Sequence, residues 1–279
     1  MKIKQGTKIF ITGAASGIGR STAILMGEKG VNLFLTDING NLLSETVDHI
    51  RQKSGTVSVH QVCDIGNYEA VKKMAEDIHQ SHGPMDIVMN IAGIALFALI
   101  EDMTHDHWKK VINTNLWGPI HGIECFVTEM IRQKRPGHLV TVASLAGLAG
   151  LPWHVAYGAS KWACVGLSEV LRYDLKQHNI GVTVVCPGAV ETPLKHSVEI
   201  VKVNEGNPRV IKMKQRFSQH AVTPEKVAEL TFTAIEKNKF MVLTSPDIHI
   251  LYFLKRKCYP LYHLILRIVS YQMNKMREI

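Results

Sequence analysis

The stretch KIFITGAASGIGRSTAILMGEKG, residues 8–30, decides the fold. Its first five residues are a short β-prone run. Gly13, Gly17 and Gly19 follow, and residues 16–29 place Ile18, Ala23, Ile24 and Met26 as the apolar positions of a helix. A strand that passes to a helix through glycines lets a ligand approach the backbone closely, with the positive end of the helix aimed at it. The spacing is G-x-x-x-G-x-G rather than G-x-G-x-x-G, so the turn alone fits an ordinary tight connection equally well.

Outward from this turn the same alternation repeats. Residues 33–36, 57–62, 85–89, 138–143, 181–186 and 240–244 are further apolar runs. Helical stretches lie between them at 41–53, 68–82, 105–134, 157–177 and 223–237. Short connections and near-continuously apolar strands predict an α/β fold, a doubly wound (Rossmann-type) parallel sheet of about seven strands with helices on both faces. Gly118-Pro119 is expected to bend the long helical region, and Thr223-Pro224-Glu225 is a strong helix start. Residues 1–247 read as one domain, with weakly periodic residues 194–220 as a mobile substrate lid. Residues 248–279 form a basic amphipathic C-terminal extension.

The bulk composition, 46% hydrophobic and 20% charged, is that of a soluble globular protein. The five cysteines have no paired spacing, which suits reduced thiols better than a disulfide frame or a zinc site. Residues 1–6 lead straight into a strand without a secretory apolar region, and no apolar run is long enough to span a bilayer. A cytoplasmic location, with the extension as a candidate peripheral membrane contact, is the expectation. The net charge of +8 raises the question of nucleic acid. Six basic residues and one acid fall in 248–279, so five of the eight excess charges belong to the extension and no nucleic-acid partner is expected.

Tyr157 and Lys161 are four apart, on one face of a helix, where the ammonium favours the phenolate. The same spacing recurs at Tyr68/Lys72, read as a solvated pair, and at Tyr271/Lys275, read as packing or interfacial anchoring. Asp102, His105, Asp106 and His107 read as a solvated helix start, and no metal is expected. Asp37 ends the second strand, where a carboxylate can accept hydrogen bonds from a ribose diol and repels a 2′-phosphate. Neither Ser16 nor Ile38 offers a compensating positive charge, which predicts NAD(H) over NADP(H).

Residues 5–247 resemble a single-domain short-chain dehydrogenase/reductase. The motifs that carry the resemblance are Thr12-Gly13-x3-Gly17-x-Gly19, Asp37, Asp64, Asn90-Ile-Ala-Gly93, Asn115, Ser144, Tyr157-x3-Lys161, and Pro187-Gly188 with Thr192. Ile91 departs from the family's Asn-Asn-Ala-Gly. The resemblance implies a catalytic set of Asn115, Ser144, Tyr157 and Lys161. Tyr157 acts as general acid/base, Lys161 supports it and holds the nicotinamide ribose, and Ser144 donates to the substrate oxygen. Asn115 holds a water that links Lys161 to solvent. The implied cofactor set starts with Gly13, Ser16, Gly17, Ile18 and Gly19. It continues with Asp37, Asp64 and Ile65, then Asn90, Ala92 and Gly93. Pro187, Gly188, Val190 and Thr192 close it around the nicotinamide, beside Tyr157 and Lys161.

The wall beside Ser144 is apolar: Leu145, Leu148, Leu151, Trp153 and His154, joined by Ile94, Leu96 and Phe97. Ser144, Tyr157, Leu145, Trp153, Ile94 and Leu96 are the expected substrate contacts. A hydrophobic secondary alcohol and its ketone or aldehyde (sterol-, retinoid- or acyl-like) suits this wall better than a sugar. The alternatives are a 3-oxoacyl thioester reductase using NADPH, which Asp37 opposes, and a non-catalytic dinucleotide-binding scaffold, which the Asn/Ser/Tyr/Lys set opposes. A homodimer or homotetramer is expected. The extension, apolar on one side with a stripe containing His263, Arg267, Ser270, Asn274 and Arg277, suits a membrane interface, a second subunit or a cover for the lid.

Overall fold

A computed structural model describes residues 1–192, 198–203, 206–219 and 221–276. The strands β1 (Lys8–Thr12), β2 (Asn32–Asp37), β3 (Thr56–Val62), β4 (Ile87–Asn90), β6 (Gly137–Val142), β7 (Ile180–Cys186) and β9 (Met241–Leu243) form one parallel sheet in the order β3-β2-β1-β4-β6-β7-β9. Two-residue strands β5 (Leu96–Phe97) and β8 (Glu199–Ile200), which sequence patterning does not reveal, pair separately.

The period-two alternation of each strand sorts its side chains between two cores. Ile9, Ile11, Leu33, Leu35, Ile87 and Met89 face one layer, closed by α1 (Gly17–Gly27), α2 (Gly40–Gln52) and, later in the chain, α9 (Pro224–Glu236). Phe10, Phe34, Val88 and Leu139 face the other, closed by α3 (Tyr68–His82) and a long helical run. Phe10 stacks on Phe126 of that run at 4.0 Å between ring centroids. Burial on both faces is why these strands are apolar throughout.

The long run is not simply bent at Gly118-Pro119. It comprises α4 (His105–Ile112), a π turn (Asn113–Trp117), α5 (Gly118–Gly122), a second π turn (Ile123–Val127) and α6 (Thr128–Arg132). A Cβ on Gly118 would lie 2.3 Å from the Ile65 side chain, so the glycine sets close helix–loop packing. Asp102 departs from the expectation of a solvated start: it is buried on a 3₁₀ turn (Ile100–Asp102), with its carboxylate 3.1 Å from Lys202. His107 and Thr104 cap α4 reciprocally, and no metal-binding cluster occurs among the described residues.

α7 (Val155–Asp174) precedes β7. Within the expected lid, residues 194–197, 204–205 and 220 lie outside the described residues; the rest includes β8 and a twelve-residue helix, α8 (Pro208–Gln219). The pattern is hard to read because α8 has few apolar side chains and Val210, which is fully buried, docks on a distant part of the chain. α10 (Pro246–Lys257) crosses the 247/248 junction, and its Ile248 is fully buried against β7 and α7 residues. α11 (Tyr259–Asn274) folds back from it. Among the described residues no helix is long and apolar enough to cross a membrane.

His138, on β6, is buried with Nε2 on Thr183 Oγ1 at 2.8 Å, and burial pushes its pKa down to about 4. The neutral ring therefore contributes stability that is fully present above the unfolded value near 6.5. That stability is lost as pH falls toward about 4. Urea unfolding between pH 7 and pH 4 should show declining stability, with a shallower decline in His138→Leu.

Candidate active site

A cavity of about 560 Å³ opens at the carboxyl ends of the strands, where the sheet order turns from β1 to β4. Its floor begins with the glycine turn. Gly13 has φ +73°, and an added Cβ would sit 2.8 Å from Ala92 Cα. At Gly19 a Cβ would lie 2.0 Å from the Gly13 carbonyl oxygen, so only hydrogen lets α1 start this close to β1. Ser16, the N-cap of α1, makes no side-chain cap, and no acid occupies the first turn. The turn thus presents backbone N–H groups and a positive helix end to a pyrophosphate.

Asp37 closes one side. Its Oδ2 accepts from Ala15 N at 3.0 Å and its Oδ1 from Asn39 N at 2.9 Å, so the carboxylate also braces the glycine turn. Each oxygen retains a lone pair for a ribose hydroxyl. Thr12 Oγ1 accepts from Ile91 N and Ala92 N, joining the end of β1 to the loop after β4. Asp64 Oδ1 accepts from Gly66 N, shaping the turn that carries Ile65. Ile91, where the family has a second Asn, packs in the core and also lines the cavity.

Ser144, Tyr157 and Lys161 also line the cavity. Ser144 caps the 3₁₀ turn Leu145–Gly147: its Oγ accepts from Ala146 N at 3.1 Å, leaving the hydroxyl proton to donate to a substrate oxygen. Gly147 packs on the backbone of Lys161, which fixes the Ser144 turn against α7. Lys161 is 4% exposed; its Nζ donates to Val142 O at 3.0 Å and lies 5.8 Å from the Tyr157 ring centroid. Two of its three N–H donors remain for a ribose or the phenol oxygen.

Asn115 is fully buried beneath the cavity and does not line it. Its Oδ1 accepts from Ile94 N at 2.8 Å, and its Nδ2 donates to Ile94 O at 2.9 Å and Ser160 Oγ at 3.3 Å. Ser160 Oγ donates in turn to Tyr157 O, so Asn115 ties the loop after β4 to the start of α7.

Every residue expected at the cofactor lines the cavity except Asn90. Asn90 lies beneath it, 2% exposed, donating from Nδ2 to Pro119 O, and so braces β4 against α5. Asn39, Cys63, Thr114 and Val142 line it as well, though their residue types give no sequence signal for this.

Of the expected substrate contacts, Ile94, Ser144 and Tyr157 line the cavity and three do not. Leu145 packs on the cluster of Val184, Cys186 and Ile248. Leu96 is 2% exposed among Val111, Ala98 and Ala156. Trp153, at φ +65°, turns away: its indole N–H donates to Asn274 Oδ1 at 3.0 Å, and it packs on Val210 and Met276. Phe97 and His154 instead surround Tyr157, with ring centroids 5.9 and 6.0 Å from it and 4.0 Å from each other. His154 Nδ1 meets the Pro152 carbonyl, yet burial outweighs this and pushes its pKa down to about 4. The ring next to Tyr157 is therefore neutral at physiological pH. The other two look-alike pairs lie elsewhere: Tyr68 is exposed beside His121, and Lys275 sits 4.3 Å over the exposed Tyr271 ring.

The short chain dehydrogenase family model matches residues 7–201. The chain is 32% identical over 260 residues to a CLA biosynthesis dehydrogenase/reductase of Lactiplantibacillus plantarum, covering 88% of this chain and 91% of that protein. It is 35% identical over 190 residues to a 3-oxoacyl-(acyl-carrier-protein) reductase of Thermotoga maritima, covering 68% and 76%. A solved short-chain dehydrogenase/reductase from Burkholderia phymatum in complex with NAD superposes with a TM-score of 0.82 at 29% identity, covering 94% of this chain and 96% of that one.

Two substitutions test the layout. Tyr157→Phe should leave NADH affinity unchanged in fluorescence titration and lower kcat by about 10²–10⁴-fold. Gly19→Ala should abolish NADH binding in the same titration, because its methyl group has no room beside Gly13.

Proposed function

The chain belongs to the short-chain dehydrogenase/reductase family of oxidoreductases, and we propose that it interconverts an apolar secondary alcohol and its ketone or aldehyde with NAD(H). The observation that carries this reading is one cavity lined by the glycine turn, Asp37, Ser144, Tyr157 and Lys161. Gly13, Gly17 and Gly19 would receive the pyrophosphate, Asp37 the adenine ribose, Lys161 the nicotinamide ribose, and Pro187 to Thr192 the nicotinamide. Bound there, the dinucleotide supplies the hydride acceptor for alcohol oxidation or the donor for ketone reduction.

The protein's own part is the proton at the substrate oxygen. In oxidation the alcohol oxygen accepts the Ser144 hydroxyl proton as a hydrogen bond and releases its own proton to the Tyr157 oxygen. The buried Lys161 ammonium stabilises negative charge on that oxygen. Ser144 stabilises the charge that develops on the substrate oxygen, an interaction strengthened by the low dielectric of the site. In reduction Tyr157 returns the proton. Asn115 acts through position, holding Ile94 and Ser160 on either side of the reacting groups.

An apolar substrate is supported by what continues outward from Tyr157. Phe97 leads from the phenol into a cluster with Leu99, Ile200, Val203, Met213 and Met273 around Trp153 and Val210. NAD(H) is supported by Asp37, a carboxylate lining the cavity that would repel a 2′-phosphate. Among the described residues Lys161 is the only Lys or Arg that lines the cavity. The Thermotoga relative favours a second reading, reduction of 3-oxoacyl thioesters with NADPH, which the same carboxylate opposes. Exposed Trp117, Val170 and Tyr173 on the α4–α6 run and α7 suit a contact with a second copy in a homodimer or homotetramer.

The deciding assay measures kcat/KM for a series of apolar secondary alcohols and for a 3-oxoacyl thioester, with both dinucleotides. Oxidation of the alcohols with NAD and weak activity with NADP are expected; faster thioester reduction with NADPH would replace the proposal. Asp37→Ser combined with Ile38→Arg should shift preference toward NADP by about tenfold or more, since it exchanges a repelling charge for a phosphate partner.

A further inference from the structure

The second half of the C-terminal extension has two faces with different tasks. The inward face of α11 is committed to the chain. Tyr262 is 5% exposed, and its hydroxyl accepts from Gly150 N at 2.9 Å. Asn274 holds the Trp153 indole, and the carbonyls of Lys275 and Met276 accept from Arg209 and Asn207 at the start of α8. α10 and α11 are thereby fastened to the loop after Ser144 and to the lid helix.

The outward face is not used in this packing. Leu261, Leu264, Ile268 and Tyr271 recur along one side of α11, 47–63% exposed. Ile250 and Phe253 on α10 and Tyr259 at the junction are 55–60% exposed. This concentration of large exposed apolar side chains exceeds the scatter normal for a surface. Arg256, Lys257 and Arg267 are exposed beside them, and residues 248–276 contain no Asp or Glu.

We propose that the outward faces of α10 and α11 form a docking surface for an anionic lipid bilayer. The apolar side chains would enter the acyl boundary while the three basic side chains meet acidic headgroups, the arrangement of a helix that lies in an interface. The twelve- and sixteen-residue lengths of these helices suit lying on the bilayer, not crossing it. A second copy fits less well, because a two-fold contact would bring the same unneutralised basic residues together. The inference stands apart from the substrate assignment, since a bilayer contact here requires no particular reaction.

The test is flotation of the full chain with vesicles of phosphatidylcholine alone and of equimolar phosphatidylcholine and phosphatidylglycerol. Flotation with the anionic vesicles, weak flotation with the neutral ones, and release on raising salt are expected. Leu264→Glu with Ile268→Glu should reduce the vesicle-bound fraction by about tenfold or more. Lys257→Glu with Arg267→Glu, a pair that alters only exposed charge, should do the same. Both double variants should retain NADH affinity and the light-scattering mass of the parent. Equal flotation on both vesicle types, no flotation at all, or a change of mass in place of a change in flotation would overturn the proposal, the last by showing that the face joins subunits.

Discussion

A buried ammonium with no carboxylate paired to it among the described residues is the constraint on which the site depends. Lys161 gives one proton to Val142 O, and around it converge the end of β6, the loop after β4, the π turn and α7. A charge so placed is costly unless its donors are used, so the surrounding backbone is arranged to leave them usable. Gly93 leaves room for Nζ, since a Cβ there would lie 3.3 Å from it. Asn115 holds the adjoining Ile94 by both its amide N–H and its carbonyl. These contacts come from residues 93, 115, 142 and 161, which only the parallel sheet brings together.

The same economy of space governs the other end of the cavity. The glycine turn succeeds because a missing methyl at Gly19 lets α1 start against the Gly13 carbonyl. Asp37 then accepts Ala15 and Asn39 N–H groups to hold the turn, and its carboxylate lines that end of the cavity. That end of the cavity offers the backbone of the glycine turn and the Asp37 carboxylate. Beyond Tyr157, by contrast, Phe97 and His154 begin an apolar region that runs to α8 and α11. The last part of the chain is fastened to this apolar region and to the loop after Ser144, through Tyr262, Asn274 and the carbonyls of residues 275 and 276.

Much of this was legible in the residues. The alternation of strands and helices appeared because buried parallel strands must be apolar throughout, and the glycine turn because backbone approach excludes side chains. The grouping of Ser144, Tyr157 and Lys161 with the glycine turn and Asp37 was legible in the motifs, and one cavity brings them together. α8 was not, because its polar sequence gains its support from residues just past α11, through contacts that span 69 and 66 residues. The two π turns were not: they flank α5, whose Gly118 and Gly122 pack against Ile65 and Asn90, residues far from it in the chain.

The sequence by itself determined the layered parallel architecture, the glycine turn after β1 with Asp37 at the end of β2, and the spacing that sets a phenol four residues from an ammonium. Each of these depends on residues close together in the chain or on a repeating period. Only the tertiary structure decided that Asn115 and Asn90 act from beneath the cavity, and that Leu145, Leu96 and Trp153 face away from it. It also made Phe97 and His154 the rings around Tyr157. The reason is physical: hydrophobic periodicity states that a side chain will be covered, while the covering surface is chosen by elements far away in the chain.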